Sequence, residues 1–249
     1  MRKAEETGLE GELKGFLYEK GASAAAFADL GHLPGGPPRG MNRAVSLAVA
    51  LDRDILAGIH DGPTRPYFRE YERVNERIDG LCRLAAARLE GAGYRAIPLF
   101  PTTENWDRET LAADFPHKTA ATRAGLGWIG KSNLLITERF GAAIRLGTVL
   151  TDAPLKPAKP VDVSRCGRCR ACVDRCPAGA IQGPDWQKGV PREVLYRAAT
   201  CAETARRFSD ALAIPATICG ICIVACPWTQ KYMKGGPHPG EAENPGKSC

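Results

Sequence analysis

Cysteine spacing is where this chain shows its chemistry. Cys166, Cys169, Cys172 and Cys176 follow a C-x2-C-x2-C-x3-C pattern closed by Pro177, and Cys219, Cys222 and Cys226 follow C-x2-C-x3-C closed by Pro227. The first run has the spacing of bacterial ferredoxins, in which the fourth cysteine serves the other cluster. Three thiolates at two-residue gaps let one tight loop wrap three corners of an iron–sulfur cube. The three-residue gap then starts a helix that turns the fourth thiolate away, and the proline closes the turn while removing a backbone donor. The second run is one cysteine short, and Cys201 lies upstream to fill the gap. Eight thiolates suffice for two [4Fe-4S] clusters. The exchange rule assigns Cys166, Cys169, Cys172 and Cys226 to one, and Cys176, Cys201, Cys219 and Cys222 to the other.

Zinc, a single cluster and disulfides are the competing uses of such cysteines. Zinc sites pair two C-x2-4-C knuckles, and a third cysteine two residues on, followed by a C-P step, is unusual there. Disulfides need an exported chain, and Met1-Arg-Lys-Ala-Glu-Glu contains no apolar signal core. No apolar run approaches the ~18–20 residues of a membrane span. The expectation is a cytoplasmic protein with no membrane association, in a compartment that keeps thiols reduced. Cys82 sits in a helical pattern as a small core residue, and Cys249 is an incidental tail thiol.

Elements must hold these thiols and whatever they serve. The chain has 249 residues, 44% of them hydrophobic, enough for one medium domain and a small one. The net charge of +6 is spread along the sequence, which suits a solvated surface better than a dedicated nucleic-acid face. Leu9, Leu13, Phe16 and Leu17 recur at helical spacing before Gly21. Strands are expected at Ala22–Leu30, Arg43–Leu51 and Ala96–Phe100, the last pushed by Pro98 toward a sheet edge or an irregular end. Asp61–Pro66 reads as a turn, and Tyr71–Glu90 as a helix with Val74, Ile78, Leu81, Ala85 and Leu89 on its apolar stripe. This alternation indicates an α/β domain over residues 1–153. No G-x-G-x-x-G and no Walker loop is present.

A second chemical stretch runs from His117 to Thr137. A short helix, Lys118–Ala124, leads into Gly125, Gly127 and Gly130, which bracket Trp128 and precede Lys131 and Ser132. Glycines at this density let backbone approach a ligand closely; a plain turn with Trp128 as core filler is the equal alternative. Leu134–Ile136 and Arg145–Thr151 are expected to pair as a hairpin around Phe140-Gly141. The prolines of 154–160 mark a stiff linker, residues 161–232 form the cluster domain, and 233–249 a mobile tail. Arg192–Phe208 reads as one helix carrying Cys201, with Trp228 and Tyr232 placed to shield a cluster. The fold class is α+β.

With both stretches in view, the chain resembles the epoxyqueuosine reductase family. The resemblance rests on Arg123-Ala-Gly-Leu-Gly-Trp-Ile-Gly-Lys131, on the first cysteine run, and on Cys201 with Cys219-x2-Cys222-x3-Cys226-Pro-Trp228, in matching order over residues 114–229. It implies an α/β domain that carries cobalamin, with Gly127, Trp128, Ile129, Gly130 and Lys131 against the corrinoid. It also implies two [4Fe-4S] clusters fed by an external donor such as ferredoxin or flavodoxin, and an epoxide on a tRNA nucleoside as the group reduced. The family places a carboxylic acid upstream of the glycine–tryptophan motif as proton donor. Asp114 is the candidate here, with His117 or Lys118 as alternatives and His117 suited by its pKa near neutrality. The chain reads as a short relative, without the helical-repeat segment that follows the clusters in longer members. An electron carrier with no substrate of its own, and an RNA-binding iron–sulfur protein, are the rival readings.

Overall fold

The computed structural model describes residues 8–101, 106–107, 111–113 and 115–235. Asp114, Cys249 and most of the expected tail lie outside them.

The first half of the chain builds a four-stranded sheet with helices on both faces. In chain order it comprises α1 (Leu9–Glu19), β1 (Ala24–Asp29), β2 (Arg43–Ala50), α2 (Arg53–Ala57), α3 (Arg65–Gly91) and β3 (Ala96–Leu99), then the short pair β4 (Trp106–Asp107) and β5 (Ala112–Ala113). The helix α4 (His117–Arg123), the strands β6 (Trp128–Ile129) and β7 (Leu135–Ile136), and β8 (Ile144–Thr151) complete it. The sheet order is β1-β2-β8-β3, and every pairing in it is antiparallel. Alternating helices and strands therefore do not produce parallel crossovers here, because the last strand inserts between β2 and β3. β3 lies at the edge, where Pro98 needs no ladder donor on its outer side.

Burial on both faces explains the unbroken apolar runs. Val149 belongs to the core beneath α3, and its neighbour Leu150 to the smaller core beneath α4, with Ala120 and Ala124. The apolar stripe of α3, from Val74 through Ile78, Leu81 and Cys82 to Leu89, is fully covered. That helix starts six residues earlier than its periodicity suggests. The Thr64 hydroxyl accepts from the Tyr67 N–H at 3.2 Å, and Pro66 occupies the first turn, where its missing donor costs nothing.

The expected hairpin between Leu134–Ile136 and β8 does not form. Both edges of β8 are taken by β2 and β3, so β7 turns back onto β6 instead, with Trp128 opposite Ile136 and Ile129 opposite Leu135. What remains at Phe140-Gly141 is a tight turn in which Thr137 and Gly141 bridge each other.

The second half is short helices and loops: α5 (Ala171–Asp174), α6 (Arg192–Leu195), α7 (Ala198–Leu212), α8 (Ile221–Ala225) and α9 (Pro227–Met233). The expected single helix over Arg192–Phe208 is broken at Tyr196-Arg197, because Tyr196 adopts extended backbone and bridges Ile181. This half is bonded to the first. Residues 155–161 lie along it, with the Ala158 N–H donating to Phe27 O at 3.0 Å and the Arg43 Nε to Leu155 O at 3.1 Å. Tyr232 does not shield a cluster: it is fully buried in the main core, and its hydroxyl donates to Leu51 O at 2.9 Å. Beside it, the Ala142 N–H donates to the Thr229 hydroxyl at 2.9 Å. A Cβ on Gly141, whose φ is +58°, would sit 2.2 Å from the Thr229 nitrogen, so only glycine allows α9 to dock there.

Candidate metal centre

The cysteine loops are held by short elements whose ends project the thiols. Cys172 lies on α5 and Cys222 on α8, and the two helices pack together. The left-handed Gly220, at φ +86°, starts α8 against Ile59 and Tyr67 of the first half. Cys201 sits on α7, just past the break at Tyr196, and the Tyr196 hydroxyl lies beside the Cys201 sulfur, where it counters part of the rise that burial gives that thiol.

Mutual fields report which thiols lie near one another. Burial, and then Cys166, Cys226 and Cys169, push the Cys172 thiol up to about 11. Cys226 is raised by burial, and the neighbouring thiol that acts on it is Cys166. Cys201, raised by burial, is acted on by Cys176, and Cys219 by Cys201 and Cys176. Cys222 is driven up by burial and feels thiols of both sets, Cys219 and Cys201 before Cys172 and Cys176. The thiols thus lie near one another in two groups that meet at Cys172 and Cys222.

Among the described residues, no three His, Cys, Asp or Glu side chains converge as a single chelated ion requires. Buried thiols with raised pKa values are protonated when empty, so loading such a site releases protons.

The glycine–tryptophan motif packs directly on the first quartet. A Cβ on Gly130 would lie 2.8 Å from the Ile136 side chain and 3.4 Å from the Cys166 sulfur, and one on Gly127 would lie 2.0 Å from Ile136 O. The Lys131 ammonium donates to Gly167 O at 2.7 Å, inside the first cysteine loop, and stands 3.8 Å from the Asp185 carboxylate. Trp128 is 1% exposed in a small core with Cys226, Cys166 and Trp228, whose ring meets it edge-on at 5.2 Å. Trp228 thus does lie beside a cysteine set. The close approach these glycines allow is thus to the β6–β7 turn and to a cysteine sulfur. Trp128 and Lys131 turn to the cysteine segment; Ile129 is half-buried beside them.

Two roles were not visible in the sequence. Arg123 is buried and clamps the start of the cysteine segment, donating to Val161 O at 2.6 Å and pairing with Asp162. Tyr196, read as part of a helix, supplies the hydroxyl on Cys201.

The expected proton donors fare differently. Asp114 lies outside the described residues. His117 is held at both ring nitrogens, with Nδ1 2.9 Å from the Thr148 hydroxyl and Nε2 3.0 Å from Phe100 O, and burial pushes its pKa down. Because Phe100 O only accepts, Nε2 carries the proton and Nδ1 accepts from Thr148, so the ring is neutral and occupied. Lys118 donates to Asn133 O at 2.5 Å, and burial followed by Arg192 lowers its pKa to about 8. No carboxylate pairs with it among the described residues.

Comparison with known proteins agrees with the cysteine arithmetic. Residues 165–229 match the family described as a 4Fe-4S double cluster binding domain. The chain carries a double-cluster iron–sulfur domain. An epoxyqueuosine reductase of Pseudomonas aeruginosa is 29% identical over 167 residues, 65% of this chain and 42% of that one. The chain is similar to this epoxyqueuosine reductase, and spans less than half of its length. Among solved structures, a reductive dehalogenase reported for B12-dependent dehalogenation superposes with a TM-score of 0.66 at 18% identity, over 88% of this chain and 31% of the other. An epoxyqueuosine reductase bound to an epoxyqueuosine-modified tRNA-Tyr stem loop superposes with a TM-score of 0.61 at 20% identity, over 89% and 65%. These likenesses establish a shared α+β fold. No described helix is long and apolar enough to cross a membrane.

Proposed function

We propose that the chain is an iron–sulfur, corrinoid-dependent reductase of the epoxyqueuosine reductase kind. In this reading Cys166, Cys169, Cys172 and Cys226 hold one cluster and Cys176, Cys201, Cys219 and Cys222 the other. The clusters supply single electrons, and a bound corrinoid supplies the reactive metal. The observation that carries the reading is the packing of the glycine–tryptophan motif on the first quartet. Gly130 lies beside the Cys166 sulfur and Lys131 is bonded to Gly167 O, so the sheet-bearing half presses against one cysteine set. A plain electron carrier needs no such half.

This chain's residues have three tasks. Arg123 and Lys131 fix the first cysteine loop against β6. The apolar patch of Trp128, Trp186 and Trp228 keeps water from that loop. Lys118, half-buried and with its pKa lowered to about 8, is the described side chain best able to deliver a proton at its Nζ. The electrons come from an external carrier such as ferredoxin or flavodoxin, the substrate is the epoxide of a modified tRNA nucleoside, and the setting is the cytoplasm.

The test is anaerobic. Protein reconstituted with iron and sulfide is mixed with cob(II)alamin, and its EPR spectrum is recorded before turnover on an epoxyqueuosine-bearing stem loop. A base-off spectrum and conversion to the alkene are expected. Full iron loading with corrinoid left free in solution overturns the reductase reading and leaves an electron carrier.

A further inference from the structure

The Trp128 indole Nε1–H is buried and has no hydrogen-bond partner among the described residues. Such orphans are rare, and each calls for a specific acceptor. The ring is 1% exposed, so bulk water does not serve. Its surroundings are mostly apolar: Ile136, Ala142 and Leu195, with Trp186 and Trp228, whose indoles only donate. Two groups in that patch stand out as sulfur-bearing, Cys226 and Cys166, and both fall in the first quartet. The motif is built for this closeness, since even a methyl group on Gly130 would come within 3.4 Å of the Cys166 sulfur. Above the ring, the Arg165 guanidinium lies 5.3 Å from its centroid. A cation on the ring face withdraws charge from the indole and makes its N–H a better donor.

We infer that the Trp128 Nε1–H donates a hydrogen bond to a sulfur of the first cluster and thereby raises that cluster's reduction potential above what it would otherwise be. Hydrogen bonds to cluster sulfur favour the reduced, more negative state. Trp128 is a positioning and tuning residue here, not a catalytic one. The inference rests on the cluster assignment proposed above and holds whether or not the chain binds a corrinoid or reduces an epoxide.

The experiment uses the full chain, reconstituted anaerobically and free of corrinoid. Protein labelled with 15N at the tryptophan indoles is reduced and examined by pulsed EPR, with a matched sample in D2O. A nitrogen coupling and an exchangeable-proton coupling to a reduced cluster are expected, and both should vanish in W128F. A redox titration of W128F should show one cluster harder to reduce, by about tenfold in its reduction equilibrium, which is about 59 mV for one electron, while the other is unmoved. Absence of nitrogen coupling in the wild-type protein overturns the inference without any variant having to fold. So does an equal shift of both clusters in W128F, which marks a general packing effect. Coupling that appears only after corrinoid is added assigns the N–H to the corrinoid instead, and also overturns it.

Discussion

The exchange of thiols between the two cysteine runs can be decided by counting iron. Each cube requires four cysteine thiolates, so wild-type protein reconstituted under argon should hold about eight irons. Alanine, unlike serine, offers no oxygen to replace the lost ligand. C172A and C226A should each fall to about four irons, because one quartet is broken and the other is intact. The double variants separate the alternatives. Cys172 and Cys226 act on each other's set, so C172A/C226A should still hold about four irons, no worse than either single change. Cys176 instead acts on Cys201 and Cys219, so C176A/C226A should break both quartets and hold almost none. Were the clusters wired in sequence order, with Cys176 completing the first set and Cys226 the second, C172A/C226A would change its outcome and C176A/C226A would not. C172A/C226A would then lose all its iron, while C176A/C226A would still break both sets, and C172A/C176A would be the pair that keeps half. Iron and acid-labile sulfide per chain, with the EPR of the dithionite-reduced samples, provide the readout. An iron-free C172A/C226A alongside a half-loaded C172A/C176A would refute the assignment.

Three further outcomes follow from the same geometry. The folded pKa of Lys118, about 8, lies below the ordinary lysine value of 10.5, so between these values the unfolded chain binds a proton that the folded one does not. Stability should rise with pH across that window and lose this slope in K118M, as followed by urea unfolding; if Lys118 is the proton donor, turnover should fall as pH rises through about 8. Y232F leaves the buried Leu51 carbonyl without its donor and should cost about 1–3 kcal/mol, seen as faster bleaching of the clusters on heating. G141A and G179A impose the same left-handed backbone, at φ +58° and +57°, but a methyl group at 141 meets the Thr229 nitrogen at 2.2 Å whereas one at 179 meets nothing. G179A should cost about 1–2 kcal/mol and G141A an additional 1–3 or so, and equal losses would mean that α9 does not bear on that turn.

Sequence alone settled whatever depends on spacing along the chain. The cysteine intervals set the cluster type, because a loop of two-residue gaps reaches only neighbouring corners of a cube. The apolar stripe of α3 and the unbroken run of β2 announced a helix and a doubly buried strand, and Pro98 announced an edge, since each is a local constraint. Tertiary structure decided whatever depends on competition between distant segments. β8 abandoned its nearest neighbour because β2 offered it a ladder along its whole length and β3 one along half of it, which sent β7 back to β6. Tyr232, next to a cluster motif, went instead to the buried end of β2, where a carbonyl lacked a donor. His117, attractive by its pKa, was taken by Thr148 and Phe100, which lie 31 and 17 residues away and carry no signal at position 117. The glycines around Trp128 advertise close approach in any sequence; only the folded chain brings the Cys166 sulfur there, because a hydrogen bond or a van der Waals contact is made by whatever the fold delivers, not by what the motif names.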